Sequence, residues 1–346
     1  KWVAELGYYG LSGKSINGLF KGKVNDFVTN ITGNFYGADV VAAAEVKDIT
    51  RPDRMTANVD LDFAATPEEV RAIYRGVLDT PLPDEADVWV GKFDSLSLTG
   101  QAQLVPNKVT TDLNLKTDLG NVAVCGTIGF GSEGGSFEGD IRSEGVNVGK
   151  LLAIEELGKA NFTAGGNILL VDGKAQGEVD ARIGKINLKG YNFEDISLQA
   201  SLTDSLLRAT ATSHDKNALL FAEGEGNMRG EEPEYNLLLN LERVDFGAMG
   251  FTKEQSTSWL SGNVEASLTG RTLDDMTGRA MINDLVYASA ADTLSTELVN
   301  ISLAGGKESK SFSIYSPILD VEYRSTAPYK SVVDYLTNTL PAQLPL

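Results

Sequence analysis

In the stretch "YNFEDISLQASLTDSLLRATATS", residues 191 to 213, apolar and polar positions alternate, break at Thr203–Asp204, and alternate again. Ile196, Leu198, Ala200 and Leu202 fall on one side, and Ser197, Gln199 and Ser201 on the other. A period of two interrupted by a turn predicts two half-buried strands joined as a hairpin. The same rhythm fills much of the chain. "VTTDLNLKT" sets Val109, Thr111, Leu113 and Leu115 against Thr110, Asp112, Asn114 and Lys116. "GEVDARIGKINLKG" sets Val179, Ala181 and Ile183 against Asp180 and Arg182, and "VDGKA" before it carries the Asp-Gly pair of a tight hairpin. "YNLLLNLERV" and "SGNVEASLTG" continue in the same style.

The pattern also repeats at long range. "FDSLSLTGQAQL" begins at Phe93 and "FEDISLQASL" at Phe193, 100 positions later. "ELVNISLAGG" places Ile301-Ser302-Leu303 where the second copy has Ile196-Ser197-Leu198. "EGVNVGKLL" from Glu144 matches "ERVDFGAMG" from Glu242, an offset of 98, and "GGNILL" from Gly165 matches "SGNVEA" from Ser261, an offset of 96. Several matches in one order with one spacing indicate an internal repeat. The chain is therefore expected to be one continuous β segment, with approximate pseudo-repeats 1–95, 96–195 and 196–346.

Short helices are expected to interrupt the strands. "TPEEVRAIYRGVLD" has Thr66 as N-cap, Pro67 at the first helical position and acids in the first turn. Its Val70, Ile73, Tyr74, Val77 and Leu78 form one apolar stripe. "VNVGKLLAIEELG" predicts a shorter helix, and "APYKSVVDYLTNTL" a third, with Tyr329, Val332, Val333, Leu336 and Leu340 on one side. Such helices would cap or plug a β surface.

Composition narrows the function classes. With 36 glycines and 10 prolines in 346 residues, many short strands and tight turns fit better than long helices. A net charge of −18 argues against nucleic acid, since no basic stripe exists to replace the counterions on phosphates. It also disfavours adsorption to anionic headgroups. One cysteine, Cys125, leaves no internal disulfide and no cysteine zinc cluster, and suits a periplasm-like compartment. No apolar run is long enough to span a bilayer as a helix. The chain opens on "KWVAELGYYG" without a methionine and ends on "LPAQLPL", which reads as a piece of a longer protein.

Candidate chemistry is sparse. His214, in "ATSHDKN", reads as a polar turn residue, with Asp215 too close in sequence to orient it in a triad. "GFGSEG", residues 129 to 134, fits the spacing of a dinucleotide loop but continues into turn and strand where that loop requires a helix. The acidic pairs Glu68–Glu69, Glu155–Glu156, Glu231–Glu232 and Asp274–Asp275 read as solvated faces, and none has the spacing of a calcium loop. Cys125, within "NVAVCGTIGF", reads as a buried thiol behaving as a small hydrophobe. No catalytic residue, cofactor or metal ligand is expected, and an enzyme is not.

From about Phe137 to Tyr287 the chain resembles the TamB-type translocation and assembly modules of Bacteroidetes, within the AsmA-like family. The stretches that carry the resemblance are "GVNVGKLLAIEELGKANFTAGGNI", "INLKGYNFEDISLQASL", "ATSHDKNALLFAEGEG", "LNLERVDFGAMGF" and "LTGRTLDDMTGRAMINDLVY". "SFSIYSPILDVEYRSTAPYKSVVDYLTNTL" looks like that family's unit of strand followed by helix, and "KGKVNDFVTNITGNFYG" is similar to its upstream repeats. The resemblance implies an elongated repeat β-sheet curled into a trough, of β-taco or β-helix-like form, with a few short capping helices. It implies a periplasmic location in a parent anchored in the inner membrane. It also implies phospholipid acyl chains as ligand, and an outer-membrane barrel assembly partner reached through regions outside this chain.

Alternation alone fits two arrangements: a closed sandwich, in which the apolar face meets a second sheet, and a trough, in which it lines a groove. The repeat and the resemblance favour the trough. Leu96, Leu98, Ile196, Leu198, Ile301 and Leu303 are then the expected groove-lining positions, and ordinary β core is their alternative. A reading from another class is a cell-surface β-sandwich array that binds glycan or protein. Trp2, Trp89 and Trp259 are too scattered in sequence to make its aromatic platform.

Overall fold

The computed structural model describes residues 16–131, 134–251, 258–272, 274–290, 292–306 and 309–328. They form nineteen antiparallel strands assigned to one sheet, with three short helices among the described residues. The chain divides into two units, Lys1–Gly173 with Ala181–Asn192, and Lys174–Asp180 with Phe193–Leu346.

The first unit holds β1 (Ile16–Gly22), β2 (Phe27–Phe35), β3 (Ala38–Lys47), β4 (Thr56–Ala65) and β5 (Leu96–Val105). It continues with β6 (Lys108–Thr117), β7 (Gly120–Gly131), β8 (Gly134–Asn147) and β9 (Leu157–Val171). β10 (Lys174–Leu188) is divided between the units. The second unit holds β11 (Tyr191–Thr203), β12 (Leu206–Asp215), β13 (Ala218–Asn227), β14 (Glu234–Asp245) and β15 (Trp259–Thr269). β16 (Thr277–Ala288), β17 (Thr293–Ala304), β18 (Lys310–Ser316) and β19 (Leu319–Ser325) complete it. From β1 to β9, and again from β11 to β19, each strand pairs with the next in sequence.

Two hairpin turns sit where the sequence puts them. Asp172 and Gly173 have φ of 49° and 74°, and Asp204 and Ser205 have 49° and 63°. Two successive left-handed residues match the twist of the flanking strands. The three related stretches fall in β5, β11 and β17, six strands apart in the order. In β8 the register slips between Ser143 and Val146, and in β14 between Leu241 and Val244. Asn147 and Asp245 follow these bulges, and their Oδ1 atoms accept from the amides of Lys150 at 3.0 Å and Ala248 at 2.8 Å. The Glu144 and Glu242 motifs therefore encode one device: a bulge that bends the strand, then a side chain that caps the next turn.

α1 (Pro67–Leu78) and α2 (Asp84–Val90) lie between β4 and β5, and α3 (Val148–Leu152) between β8 and β9. α1 starts with the full reciprocal cap: Thr66 Oγ1 accepts from Glu69 N at 3.4 Å, and Glu69 Oε2 from Thr66 N at 2.7 Å. Val70, Ile73 and Tyr74 are half-buried. A Cβ at Gly76 would stand 2.2 Å from the Tyr36 ring, so only glycine lets α1 approach the β2–β3 turn this closely. α3 is shorter than "VNVGKLLAIEELG" suggested. Ala153 turns left-handed at φ 56°, and the chain enters β9 at Leu157. α2 was not expected. The stripe of Tyr329 to Leu340 lies outside the described residues.

Candidate functional site: a one-sided apolar face

Directly paired residues of an antiparallel sheet point to the same side, so the register shows what each face carries. In the first unit one row runs Val40, Phe63, Leu98, Leu115, Val122, Ser143 and Phe162. On the opposite side a row runs Asp60, Gln101, Asp112, Cys125 and Asp140, all exposed. In the second unit the apolar side carries Leu198, Ala211, Ala222, Leu239, Val264, Ile282 and Val299 in one row. The next row carries Ala200, Ala209, Gly224, Leu237, Ala266, Ala280 and Ile301. None of these apolar-side rows contains a charged residue.

All six expected groove positions fall on these apolar faces. Leu96 stands between Ala65 and Thr117, and Leu98 between Phe63 and Leu115. Ile196 faces Ser213 and Leu198 faces Ala211. Ile301 stands between Ala280 and Ile314, and Leu303 between Gly278 and Phe312. Every one of them is half-buried. Neighbours about 4.8 Å away on adjacent strands cover the flanks of such a side chain, whereas only a second layer would cover its tip. No large side chain among the described residues is fully buried.

Within each unit the two ends of the strands differ. In the first unit, at the strand ends next to the helices, Ala38, Ala65, Val146 and Ala160 are buried, and in the second unit Ala218, Val244, Met249 and Ala288 are buried at strand ends or in the turns that follow them. Buried Asp215 accepts from Glu194 N and Asn217 N, each at 2.9 Å. Asp118 does the equivalent job for Asp94 N at 2.8 Å. At the other strand ends, large apolar side chains stay exposed, including Phe20, Phe130, Ile168, Leu170 and Leu207. The alternation of each strand marks these residues as apolar-side, but nothing in it distinguishes the two ends.

Other candidate chemistry does not converge. His214 sits within β12, opposite Leu219, and not in the turn that its sequence context suggested. Its exposed Nδ1 lies 3.8 Å from Asp195 Oδ2. Cys125 is exposed and stands on the polar face between Asp112 and Asp140, contrary to the expected buried thiol. The register sets that, because an odd position in β7 faces outward with its acidic partners. "GFGSEG" joins β7 to β8 with Gly131 paired to Gly134, so no helix begins there. Glu155–Glu156 lies in the turn after α3, Glu231–Glu232 in the loop before β14, and Asp274–Asp275 in the turn before β16. Among the described residues no group of three or more ligating side chains could hold a metal. Trp89 packs under Lys92 Nζ at 3.9 Å and Trp259 under Arg243 at 5.8 Å, each on its own element.

Shifted titrations occur in turns and at a strand end, away from any cleft. The Asn25 amide and the Arg51 guanidinium hold Asp48 below the usual carboxylate range, and backbone donation from Thr272 does the same for Asp275. The Glu45 carboxylate raises Lys47. The hollows along the sheet are open. One of ≈ 520 Å³ is lined by Ile31, Ala42, Leu61 and Gly100 with Asp60 and Asp62 at its side, and one of ≈ 550 Å³ lies around Leu285 and Ile318.

The chain matches no family model, no curated protein and no solved structure.

Proposed function

We propose that this chain is a non-enzymatic, lipid-conducting segment of a TamB-type protein that spans the periplasm from an inner-membrane anchor. Phospholipid acyl chains lie against the apolar face on their way between inner and outer membranes. Support of outer-membrane protein assembly would come through regions of the parent outside this chain. One observation carries the reading: each unit presents a continuous apolar face, uncharged in its central rows and half-buried, behind an exposed polar one. The dimensions suit the ligand. Half of a bilayer core, about 15 Å, spans only three to four strands at about 4.8 Å each. Each CH₂ removed from water gains about 0.8 kcal/mol, so an acyl chain needs no specific pocket to be held.

Native mass spectrometry of the chain after mixing with phospholipid vesicles tests this. Discrete phospholipid adducts are expected. A chain that stays lipid-free while giving signals on a glycan array would replace this reading with the cell-surface one. That alternative has less support, because a sandwich would bury its large inward side chains completely.

A further inference from the structure

Among the described residues two buried hydroxyls have no hydrogen-bond partner, Ser258 Oγ and Thr29 Oγ1. Ser258 precedes β15, whereas Thr29 lies inside β2 on the apolar side and is 5% exposed. A hydroxyl sealed away without a partner carries a desolvation cost that nothing recovers. Its surroundings show what would recover it. From Thr29 the pairing runs across β2 to β9 through Ala44, Val59, Ala102 and Thr111 and ends on Gly166, with two further glycines between the last two. No side chain in this row is larger than valine. The rows two residues away on either side carry larger ones and no charge, with Leu61, Leu113 and Ile141 on one and Leu104, Ile128 and Phe137 on the other. The result is a slot in the apolar face of the first unit, with its floor close to the backbone. Eight strands at about 4.8 Å give it a length of about 34 Å, more than the roughly 15 Å of one acyl layer. At the Thr29 end Phe20 stands directly opposite, and its ring lies 5.9 Å from that of Phe27. Phe20 is 52% exposed, so its ring has room to turn aside.

We infer that this slot takes one extended alkyl chain, and that Thr29 Oγ1 hydrogen-bonds an uncharged oxygen at the end of that chain. This rests on the lipid reading above and adds to it a path and a chemical preference. The oxygen is uncharged because none of the three rows supplies a counter-charge, and an unpaired charge on this face is costly. A hydroxyl both donates and accepts, so the shared chemistry is an alcohol or an ester carbonyl at the end of an alkyl chain. The flanking rows supply most of the affinity by covering the chain, and Thr29 fixes where the chain ends.

The test titrates oleyl alcohol, methyl oleate, oleate and a phosphatidylcholine into the whole chain, read by native mass spectrometry. The alcohol or the ester should bind at least as tightly as oleate. T29V keeps the shape and removes the hydroxyl. It should weaken the oxygen-ended ligand about fivefold, the size of one uncharged hydrogen bond, even though it stabilises the free chain. T29S should keep the affinity. A102L raises the floor in the middle of the slot and should abolish binding of the single-chain ligands while leaving the melt near that of the parent. Loss at T29V for ester and alcohol alike identifies a carbonyl contact, as an acyl ester would make, and loss for the alcohol alone identifies a free hydroxyl. Affinities that T29V leaves unchanged for both, binding that survives A102L, or a preference for oleate over both uncharged ligands overturns the site while leaving the lipid reading intact. Phosphatidylcholine adducts with none of the single-chain ligands do the same. Absence of every adduct, phosphatidylcholine included, overturns both. The comparison of oleate with its methyl ester needs no variant, so the site stays falsifiable if a variant folds poorly.

Discussion

In the first unit Ala160, at one end of the strands, is 2% exposed while Phe130 and Ile168, at the other, are 55% and 46% exposed, and in the second unit Ala218 is 1% exposed while Leu207 is 37% exposed. Both sets belong to the apolar side of the same kind of strand. What differs is what covers them. Bulges, capped turns and, in the first unit, α1 to α3 lie beside the first set, whereas two-residue turns at 172–173 and 204–205 leave Leu170 and Leu207 exposed. Folding therefore draws on the closed strand ends and on the paired strands, and leaves apolar surface over for another use.

Substitutions at the two kinds of strand end should then differ in cost. The largest effect is expected for Ala218→Leu, because added methyl groups in a closed site cost about 1–3 kcal/mol. Thermal melting should fall by several degrees, and an unchanged melt would mean that this end is not packed. Next comes an effect of opposite sign. Thr29 Oγ1, on the apolar side of β2, is buried without a partner, so Thr29→Val should stabilise by about 1 kcal/mol. A loss of stability would show that this hydroxyl has a partner in solution. At an open end Ile168→Ser should cost less than about 1 kcal/mol, since the side chain already keeps much of its surface in water. A cost equal to that of Ala218→Leu would erase the distinction between ends.

The smallest effect concerns pH. The folded Asp48 carboxyl titrates below its unfolded value, held there by Asn25 and then Arg51. Its support of the β3–β4 loop is thus complete above the ordinary carboxylate range and is lost as pH falls through the lower folded value. Carboxyl NMR resonances would follow this, and an ordinary Asp48 titration would contradict it.

Much of this architecture is legible in the residues because two-residue alternation is imposed by the pleat itself. Ile196 to Leu202 and Val109 to Leu115 face where their alternation points, and the Thr66 cap announces α1. The misreadings have local causes. α2, "DEADVWV", buries no residue, so no apolar stripe marks it. The apolar run around Cys125 hides its parity, which is set by pairing with Asp112 and Asp140. The polar neighbours of His214 resemble a turn, yet Ser213 and Asp215 point to the other side of β12. Leu96, Leu98, Ile196, Leu198, Ile301 and Leu303 are legible as members of apolar strand faces. Whether that face is open could not be found this way, since an open and a closed sheet produce the same alternation.

Leu198→Arg addresses that last point directly, through thermal melting and lipid retention measured on the same sample. On an open face the long side chain can carry its guanidinium to water. The melt should then stay within about 0.5 kcal/mol of the original, as for surface changes, while bound phospholipid is lost. In a closed core the same charge would be buried unpaired at a cost of about 3–5 kcal/mol. Collapse of the fold would contradict the account and make this face ordinary core.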